Sequence, residues 1–210
     1  MQTDRIVYWY QKLAPIYDLL RNWIFPEIKK AQADFFSSLP ESKSILIVGG
    51  GTGDFLPTPL NSQPDAQITF LDSSEKMIDK AKKHQNSYIS FIHSKIEEYT
   101  PALKHDLLVL PFFLDHFNES ELVEWSSILQ EKVSPNGSIA ILDYGEKSRD
   151  NIRVKLLEFT STKLLGLNIQ QIHFPTVFIQ KLNGKSILKK SYFNGLLQAE
   201  IIQLAVNPNS

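Results

Sequence analysis

Five short apolar runs, spaced with room for one crossover element between neighbours, constrain the fold of this chain more than any other feature. Successive runs begin 18 to 32 residues apart. The runs are 45–48, 68–71, 89–92, 107–110 and 139–142. Strands that alternate with helical connections of this length form βαβ units with a parallel sheet. The sequence therefore predicts an α/β domain whose sheet is covered by helices on both faces.

Two of the intervening segments carry helix signals. In the segment 73–84 the apolar side chains share one face and lysines cover the other. Asn118 followed by Glu121 matches a capping box and predicts a helix over 119–132. Each predicted helix lies between two predicted strands, as a parallel sheet requires.

The last part of the chain breaks this parallel pattern. Asn194 and Gly195 separate strands predicted over 186–193 and 196–204, and this dipeptide readily adopts the positive φ angles of a tight hairpin turn. The sheet is therefore expected to be mostly parallel and to end in an antiparallel hairpin.

The composition excludes several classes of function. The absence of cysteine excludes thiolate metal sites and cysteine nucleophiles. The 22 basic and 23 acidic residues give a net charge of −1, so nucleic acid is not expected as a partner. No stretch approaches the ~20 apolar residues of a membrane helix, and the N-terminus lacks a signal-peptide pattern. We expect a cytoplasmic protein without stable membrane insertion.

The length of 210 residues suits one domain. We predict a single domain over 1–210, with a core over 43–210 and a helical N-terminal lid or cap over 1–38. No internal repeat or linker divides the chain. A homodimer is compatible with this organisation.

The sharpest local motif is an apolar strand that runs directly into a glycine turn. Residues 45–48 are followed by Gly49, Gly51 and Gly53. Glycines let the backbone turn sharply and let a ligand lie against bare main chain. Because open α/β sheets bind ligands at the carboxyl ends of their strands, the position predicts a ligand-binding turn. A plain tight turn would also use glycine.

A carboxylate ends the second predicted strand. Asp72 lies 19 residues after Gly53, where a carboxylate can accept two hydrogen bonds from a ribose diol. The alternative is that Asp72 only caps the helix that begins near Ser74. Together, the glycine turn and Asp72 predict a nucleoside ligand.

Two other kinds of nucleotide site fit the sequence less well. Dinucleotide-binding domains prefer G-x-G-x-x-G, and Asp54 stands in place of the third glycine. A carboxylate there repels a pyrophosphate but is compatible with a cationic sulfonium. For a nucleoside triphosphate, a G-x-x-x-x-G-K-[ST] segment would be needed, and the sequence has none.

The ordered motifs resemble the class I S-adenosylmethionine-dependent methyltransferases, in particular the small-molecule group similar to the ubiquinone/menaquinone biosynthesis methyltransferases. The segments that carry the resemblance are 10–18, 45–54, 70–77, 105–112 and 134–139. The resemblance implies a Rossmann-like doubly wound sheet and S-adenosylmethionine as cofactor. It also implies an enzyme that methylates an unidentified small-molecule acceptor.

The same resemblance implies roles for individual residues. The turn glycines would wrap the methionine part of the cofactor, Asp72 would hold the ribose, and Tyr17 would close over the site. Met77 and residues 94–96 would lie near the adenine. The predicted cofactor-binding residues are Tyr17, Gly49, Gly51, Gly53, Asp72, Ser73, Met77, Ser94, Lys95, Ile96, Leu110 and Pro111.

Two residues depart from the family pattern. Ile47 stands where an acidic residue is frequent, and Lys95 stands where an aspartate commonly meets the adenine amine. A lysine cannot accept that hydrogen bond, so Ser94 or the backbone would substitute. These departures leave an alternative open, a catalytically silent methyltransferase-like module for cofactor binding or protein interaction.

His116 is the predicted catalytic residue. Methyl transfer needs mainly an in-line nucleophile and exclusion of water, and a base assists an oxygen or nitrogen acceptor. His116 follows the fourth strand, where acceptors enter such folds, and Asp115 would orient it. Asp115 and Asp143 both end strands and raise the alternative of a shared Mg²⁺ ion, but we predict no metal site.

Overall fold

A seven-stranded sheet forms the centre of the molecule. The computed structural model describes Tyr8, residues 25–155 and residues 174–205. The strands are β1 Ser44–Val48, β2 Gln67–Asp72, β3 Ile89–His93, β4 His105–Pro111, β5 Val133–Tyr144, β6 Gly184–Tyr192 and β7 Leu197–Leu204. Their order is β3-β2-β1-β4-β5-β7-β6. The first five pair in parallel, and β7 lies antiparallel between β5 and β6, which confirms the predicted sheet.

Helices cover both faces of the sheet, as predicted. They are α1 Glu27–Ser37, α2 Pro57–Ser62, α3 Glu75–Ala81, α4 Glu119–Gln130 and α5 Thr176–Lys181. The predicted capping box of α4 is confirmed: the Asn118 side chain accepts from the Glu121 backbone N–H, and the Glu121 carboxylate accepts from the Asn118 backbone N–H. Two otherwise unsatisfied backbone N–H groups are thereby bonded, which fixes where α4 begins.

The uninterrupted apolar sequence of β1 is explained by burial on both of its sides. Ile45 and Ile47 pack into the layer that contains α1, α2 and α3, whereas Leu46 and Val48 pack into the layer that contains α4 and α5. Side chains alternate between the two faces of a strand, so a doubly covered strand must be apolar throughout. Burial of each such side chain stabilises the fold by ~1.5–3 kcal/mol.

The C-terminal turn differs from its prediction, and β5 contains an irregularity near its beginning. Residues 134–137 belong to β5, where the pairing register with β4 shifts and Asn136 takes a φ of 63°. In the C-terminal hairpin, Phe193, Asn194 and Gly195 all have positive φ angles. The connection therefore spans residues 193–196 rather than only the predicted dipeptide.

Most of the predicted N-terminal cap lies outside the described residues. Its described part ends in α1, which buries Phe35 and Phe36 against the sheet. The Arg153 guanidinium donates to both carboxylate oxygens of Glu27, with N–O distances of 3.1 and 2.8 Å. This ion pair ties the beginning of α1 to the segment after β5. No helix in the described part of the chain is long and apolar enough to cross a membrane.

Candidate active site

The glycine turn begins directly where β1 ends. Gly49 donates its N–H to the Leu71 carbonyl at 2.9 Å, which continues the pairing of β1 with β2 into the turn. Gly49, Gly51 and Gly53 have φ angles of 68°, 59° and 68°. L-residues with a side chain rarely adopt this left-handed conformation, so the path of the turn requires glycine at these positions.

The glycines of the turn face different surroundings. A Cβ atom on Gly50 would lie 2.3 Å from the Phe70 ring, and one on Gly53 would lie 2.8 Å from Leu56. These two glycines permit close packing of the turn. A Cβ on Gly51, by contrast, would have no heavy atom within 4 Å. The bare main chain at Gly51 therefore borders open space.

Asp72 holds the glycine turn from the neighbouring strand. One carboxylate oxygen accepts the Gly51 N–H at 3.0 Å, and the other accepts the Ser74 N–H at 2.8 Å at the beginning of α3. The sequence allowed either a ligand-binding or a helix-capping role. Asp72 bonds to Ser74, which is itself the N-cap residue that precedes α3, so this bond positions the residue before the helix. A carboxylate can accept about four hydrogen bonds, so these two bonds do not by themselves prevent Asp72 from binding a ribose diol.

Asp54, the carboxylate in place of the third motif glycine, is part of an ion pair. Its Oδ1 lies 2.5 Å from the Lys83 Nζ in the 3₁₀ turn after α3. The ion pair joins the glycine turn to α3 and partly neutralises the Asp54 charge. Lys83 stays exposed to solvent while it makes this ion pair.

A crevice lies beside the glycine turn. Its walls come from the carboxyl ends of β1, β2 and β3 and from the segment after β4. The lining residues are Val48, Gly49, Leu71, Asp72, Ser73, Ser94, Lys95, Ile96, Glu97, Phe113, Phe117 and Trp125. Six of the predicted cofactor-binding residues are thus brought together along one crevice. Within it, the Ser94 hydroxyl donates to the Lys95 carbonyl at 3.0 Å.

Besides Gly51 and Gly53 of the turn, three other predicted residues do not line this crevice. Met77 and Leu110 are fully buried, and Leu110 belongs to the apolar layer under α4 and α5. Pro111 is also buried. Burial behind the strand ends leaves these side chains able to support the walls of the crevice but not to form its surface.

Sequence reasoning missed the aromatic wall of the crevice. Phe113, Phe117 and Trp125 form mutual ring contacts with centroid distances between 4.9 and 5.6 Å. Phe113 also lies where a Cβ on Gly49 would come within 2.7 Å of its ring. The run of aromatic residues after β4 was the available signal. Trp125 comes from α4, and only the tertiary fold places it here.

A strained residue separates this wall from a second aromatic group. Phe112 has a φ of 56°, which is unusual for a bulky residue. As a result, consecutive rings point to different neighbours: Phe113 contacts Trp125, while Phe112 packs edge-on against Tyr144 at 5.5 Å. Phe25 packs on the same Tyr144 at 5.7 Å. The left-handed turn at Phe112 thus divides the carboxyl end of the sheet in two.

We call the two parts the β1–β2 side, which comprises Gly49–Gly53 and Asp72, and the β4–β5 side, which comprises Phe112, Asp115, Asp143 and Tyr144. On the β4–β5 side, Asp143 is completely buried. Its Oδ1 accepts the Tyr144 N–H at 2.8 Å. Among the described residues its Oδ2 has no hydrogen-bond partner.

Burial raises the pKa of the Asp143 carboxyl well above its usual range, and the nearby Asp115 carboxylate raises it further. Backbone N–H groups of Tyr144, Asp115 and Leu114 act in the opposite direction. Burial dominates because an ionised carboxylate loses far more hydration than three N–H groups restore. No group of three or more His, Asp or Glu suited to a metal ion occurs in the part of the chain that the structure describes.

The two remaining predicted residues cannot be placed by their side chains. Tyr17 lies outside the described residues, and of His116 only the backbone is described. That backbone forms the last position of the 3₁₀ turn Leu114–His116, directly after β4. His116 is therefore a residue of the β4–β5 side by its place in the chain.

Comparisons with known proteins agree with this architecture. Residues 45–137, which run from β1 into the bulge of β5, match a family model described as a methyltransferase domain. Over 76 residues the chain is 40% identical to malonyl-[acyl-carrier protein] O-methyltransferase 2 of Ilyobacter polytropus, covering 35% of this chain and 29% of that protein. It is 24% identical to the mitochondrial 2-methoxy-6-polyprenyl-1,4-benzoquinol methylase of Caenorhabditis elegans, over 69% of this chain and 54% of that protein.

Among solved structures, human N-acetylserotonin methyltransferase in complex with S-adenosylmethionine superposes with a TM-score of 0.61 at 15% identity. The superposition covers 98% of this chain and 57% of that one. This chain thus spans between about a third and about half of the length of the two curated relatives. Residues 45–137 are thus similar to methyltransferase domains, and the fold of the chain is similar to that of the human methyltransferase.

Proposed function

We propose that this protein transfers the methyl group of S-adenosylmethionine to a small-molecule acceptor. The observation that carries the proposal is the open main chain at Gly51. Its N–H is held by Asp72, and a side chain at this position would extend into unoccupied space rather than into protein. A turn built in this way leaves room for a ligand directly against the backbone.

In this proposal the β1–β2 side holds the cofactor. Gly49, Gly51 and Gly53 would contact its methionine part, and Asp72 would accept hydrogen bonds from the ribose hydroxyls. Ser73, Ser94, Lys95 and Ile96 would bind the adenosine end. Met77, Leu110 and Pro111 would support these walls from behind, and Tyr17 would close over the site.

Bound S-adenosylmethionine supplies an electrophilic methyl group on a cationic sulfur. The chain's own contribution is then to hold and orient the cofactor and the acceptor and to exclude water from them. Proximity and desolvation supply most of what a methyl transfer needs. The apolar rings of Phe113, Phe117 and Trp125 are suited to exclude water from the crevice. His116 would take up a proton from an oxygen or nitrogen acceptor.

The relatives suggest the kind of acceptor. One is named for an O-methyltransferase acting on malonyl-[acyl-carrier protein], the other for a benzoquinol methylase. Their names differ in whether the acceptor is bound to a carrier protein, and we propose a free small molecule. We extend the proposal to a single domain over 1–210 that acts in the cytoplasm, with a homodimer as an assembly to test.

Calorimetry with S-adenosylmethionine and S-adenosylhomocysteine tests the cofactor site first. We expect both to bind, and failure of both to bind at millimolar concentration would reject the proposal. No observation favours the silent alternative; Ile47, for example, is a fully buried strand residue. Cofactor binding without product from a broad acceptor panel would nevertheless support it.

A substitution tests the proposed base. His116→Ala should lower kcat for an oxygen or nitrogen acceptor by about 10²–10⁴-fold, the usual contribution of a general base. The affinity for S-adenosylhomocysteine should stay unchanged. A normal kcat in this variant would remove His116 from the catalytic residues.

A further inference from the structure

We propose that Phe112 is a positioning residue for the ligand crevice. Its left-handed backbone exchanges the faces of the sheet on which the side chains after β4 lie, and this exchange brings the Phe113 ring into the crevice wall. Cofactor affinity therefore depends on Phe112, although Phe112 itself is not among the residues that line the crevice. The statement about affinity rests on the proposed methyltransferase function, because that function assigns the cofactor to this crevice.

The alternation of side chains along β4 is the first part of the argument. Odd-numbered residues such as Val109 pack into the layer that contains α1, α2 and α3, whereas even-numbered residues such as Leu110 pack into the layer that contains α4 and α5. Successive side chains of a strand point to opposite faces. An extended continuation of β4 would therefore place Phe112 on the face of Leu110 and Phe113 on the face of Val109.

The structure shows the reverse arrangement. Phe112 packs against the layer that contains α1, α2 and α3, and its ring lies 5.5 Å from that of Tyr144. Phe113 packs into the layer that contains α4 and α5, where its ring lies 5.6 Å from that of Trp125. The Phe112 N–H still donates to the Leu142 carbonyl at 2.8 Å, which continues the pairing of β4 with β5. The exchange of faces thus takes place at Phe112 itself, where φ is 56°.

This backbone conformation is unfavourable for phenylalanine. Residues other than glycine, asparagine and aspartate seldom adopt it, and a bulky residue there is an outlier. The edge-on packing of the ring on Tyr144 helps to hold Phe112 in place. Backbone strain of this kind persists only where the surrounding structure fixes it, and it is concentrated at binding sites. A functional consequence of the strained residue is therefore to be sought in what it positions.

The consequence is the contact between Phe113 and the glycine turn. A Cβ atom on Gly49 would lie 2.7 Å from Cδ2 of the Phe113 ring, so the ring reaches the turn only because no side chain stands between them. Phe113 also lies 5.3 Å from the Phe117 ring, and both rings line the crevice. On the opposite face of the sheet, the Phe113 ring would be lost to the crevice. A ligand would then lose apolar contact surface directly beside the glycine turn.

Two substitutions at Phe112 separate the role of its backbone from that of its ring. Phe112→Gly lacks the ring but adopts the left-handed conformation without steric cost, whereas Phe112→Val keeps an apolar side chain that strongly disfavours this conformation. We expect Phe112→Gly to bind S-adenosylhomocysteine within twofold of the wild-type affinity and Phe112→Val to bind it at least fivefold more weakly. Packing of the side chain alone predicts the opposite order. That order, or equal affinities of the two variants, overturns the proposal.

The position of the Phe113 ring is measured without a ligand, by the chemical shift of the Trp125 indole N–H. The two rings meet edge-on, so the Phe113 ring contributes to this shift. Trp125→Phe assigns the resonance, and Phe113→Ala shows where it lies when the Phe113 ring is absent. We expect Phe112→Val to move the resonance towards its Phe113→Ala position and Phe112→Gly to leave it near its wild-type position. A wild-type resonance in Phe112→Val overturns the positioning role.

A double-mutant cycle tests whether Phe112 acts through Phe113. Phe113→Ala alone should weaken S-adenosylhomocysteine binding at least fivefold. In that background Phe112→Val should weaken binding by less than a further twofold, because no ring is left to position. If Phe112→Val has its full effect in the absence of the Phe113 ring, Phe112 acts by another route and the proposal is overturned.

Chemical denaturation shows whether each variant folds. Phe112→Ala, which also disfavours the left-handed conformation, replaces Phe112→Val if the valine variant does not fold. If S-adenosylhomocysteine fails to bind the wild-type protein, the methyltransferase proposal fails, whereas the Trp125 resonance still decides on the positioning of Phe113. If S-adenosylhomocysteine binds the wild-type protein and both Phe112 variants equally well, only the role of Phe112 is rejected.

Discussion

The β1–β2 side and the β4–β5 side of the carboxyl end of the sheet are built from different chemical groups. On the β1–β2 side the surface is main chain, kept open by Gly51 and held by hydrogen bonds to Asp72. On the β4–β5 side the functional groups are side chains, with a buried carboxyl in Asp143 and a strained Phe112. A main-chain surface is sensitive to any added side chain, whereas a side-chain surface is sensitive to charge and protonation. Substitutions on the two sides should therefore have different effects. An added side chain should matter most on the β1–β2 side, and a change of charge should matter most on the β4–β5 side.

The largest expected effect comes from filling the open space on the β1–β2 side. Gly51→Leu should weaken S-adenosylhomocysteine binding by about 100-fold or more, which is ~2.7 kcal/mol. Its side chain would occupy the space that the ligand needs, while the left-handed φ of 59° adds a stability cost of ~1–2 kcal/mol. Calorimetry and chemical denaturation measure the two effects separately.

Gly50→Ala is the matched control for this substitution. Its Cβ would lie 2.3 Å from the Phe70 ring, so overpacking should lower the free energy of unfolding by ~1–3 kcal/mol. The affinity of the folded protein should change little. Should Gly51→Leu bind as tightly as the wild-type protein, the turn would be a packing feature rather than a binding surface.

The next largest effect is expected at Asp72. Asp72→Ala removes a charged acceptor and should weaken cofactor binding by ~1–3 kcal/mol. Because the Gly51 and Ser74 N–H groups lose their acceptor, the free energy of unfolding should also fall by ~1–3 kcal/mol.

Asp106 provides a matched control at the amino ends of the strands, opposite the glycine turn. Its Oδ2 accepts the backbone N–H groups of Lys43 and Ser44, each at 3.1 Å. Asp106→Ala should therefore destabilise the fold to a similar degree without affecting the cofactor. Equal affinity losses in both variants would mean that Asp72 acts only through stability.

On the β4–β5 side the expected effect is a pH dependence of stability. The folded state raises the pKa of Asp143, so it binds more protons than the unfolded state as pH rises past the ordinary carboxyl range. Stability contributed by the neutral carboxyl is full below that range and is lost as pH approaches the raised pKa. Asp143→Asn stays neutral throughout and should gain stability relative to the wild-type protein between pH 4 and pH 7.

Chemical denaturation at several pH values measures this difference. At the acidic end both proteins carry a neutral group at this position, so their free energies of unfolding should agree within ~1 kcal/mol. A constant difference across the pH range would show that Asp143 ionises normally in the folded protein.

The two sides also differ in how far the sequence predicts them. The glycine turn and Asp72 are set by local rules, because a strand followed by positive-φ glycines allows few alternatives. The aromatic wall brings Phe113 against Trp125 of α4, and the burial of Asp143 depends on the pairing of β5 with β4 and β7. Neither has a local pattern, since pairing strands that are distant in sequence brings them together. The bonds of Asp72 to the Gly51 and Ser74 N–H groups, by contrast, depend on how close the two strand ends lie, which the sequence does not state.

The smallest expected effect lies at the amino end of the sheet, which serves as a reference for both sides. The buried His105 ring has Ser44 Oγ 2.8 Å from Nδ1 and Tyr99 Oη 2.9 Å from Nε2. Tyr99→Phe removes one of these hydrogen bonds and should lower the free energy of unfolding by ~0.5–1.5 kcal/mol. Cofactor affinity should stay at the wild-type value, because the proposed cofactor site lies at the carboxyl ends of the strands.

This polar group also has a pH dependence opposite in sign to that of Asp143. Burial lowers the pKa of His105, against the opposing charge of Asp106, so the folded state binds fewer protons there than the unfolded state. Stability should therefore fall as pH drops below the ordinary histidine pKa of about 6.5, and His105→Gln should reduce that fall. His105→Gln could leave the loss of stability at acidic pH unchanged while Asp143→Asn removes the loss of stability towards neutral pH. In that case titration at the carboxyl end of the sheet alone would govern how the free energy of unfolding depends on pH.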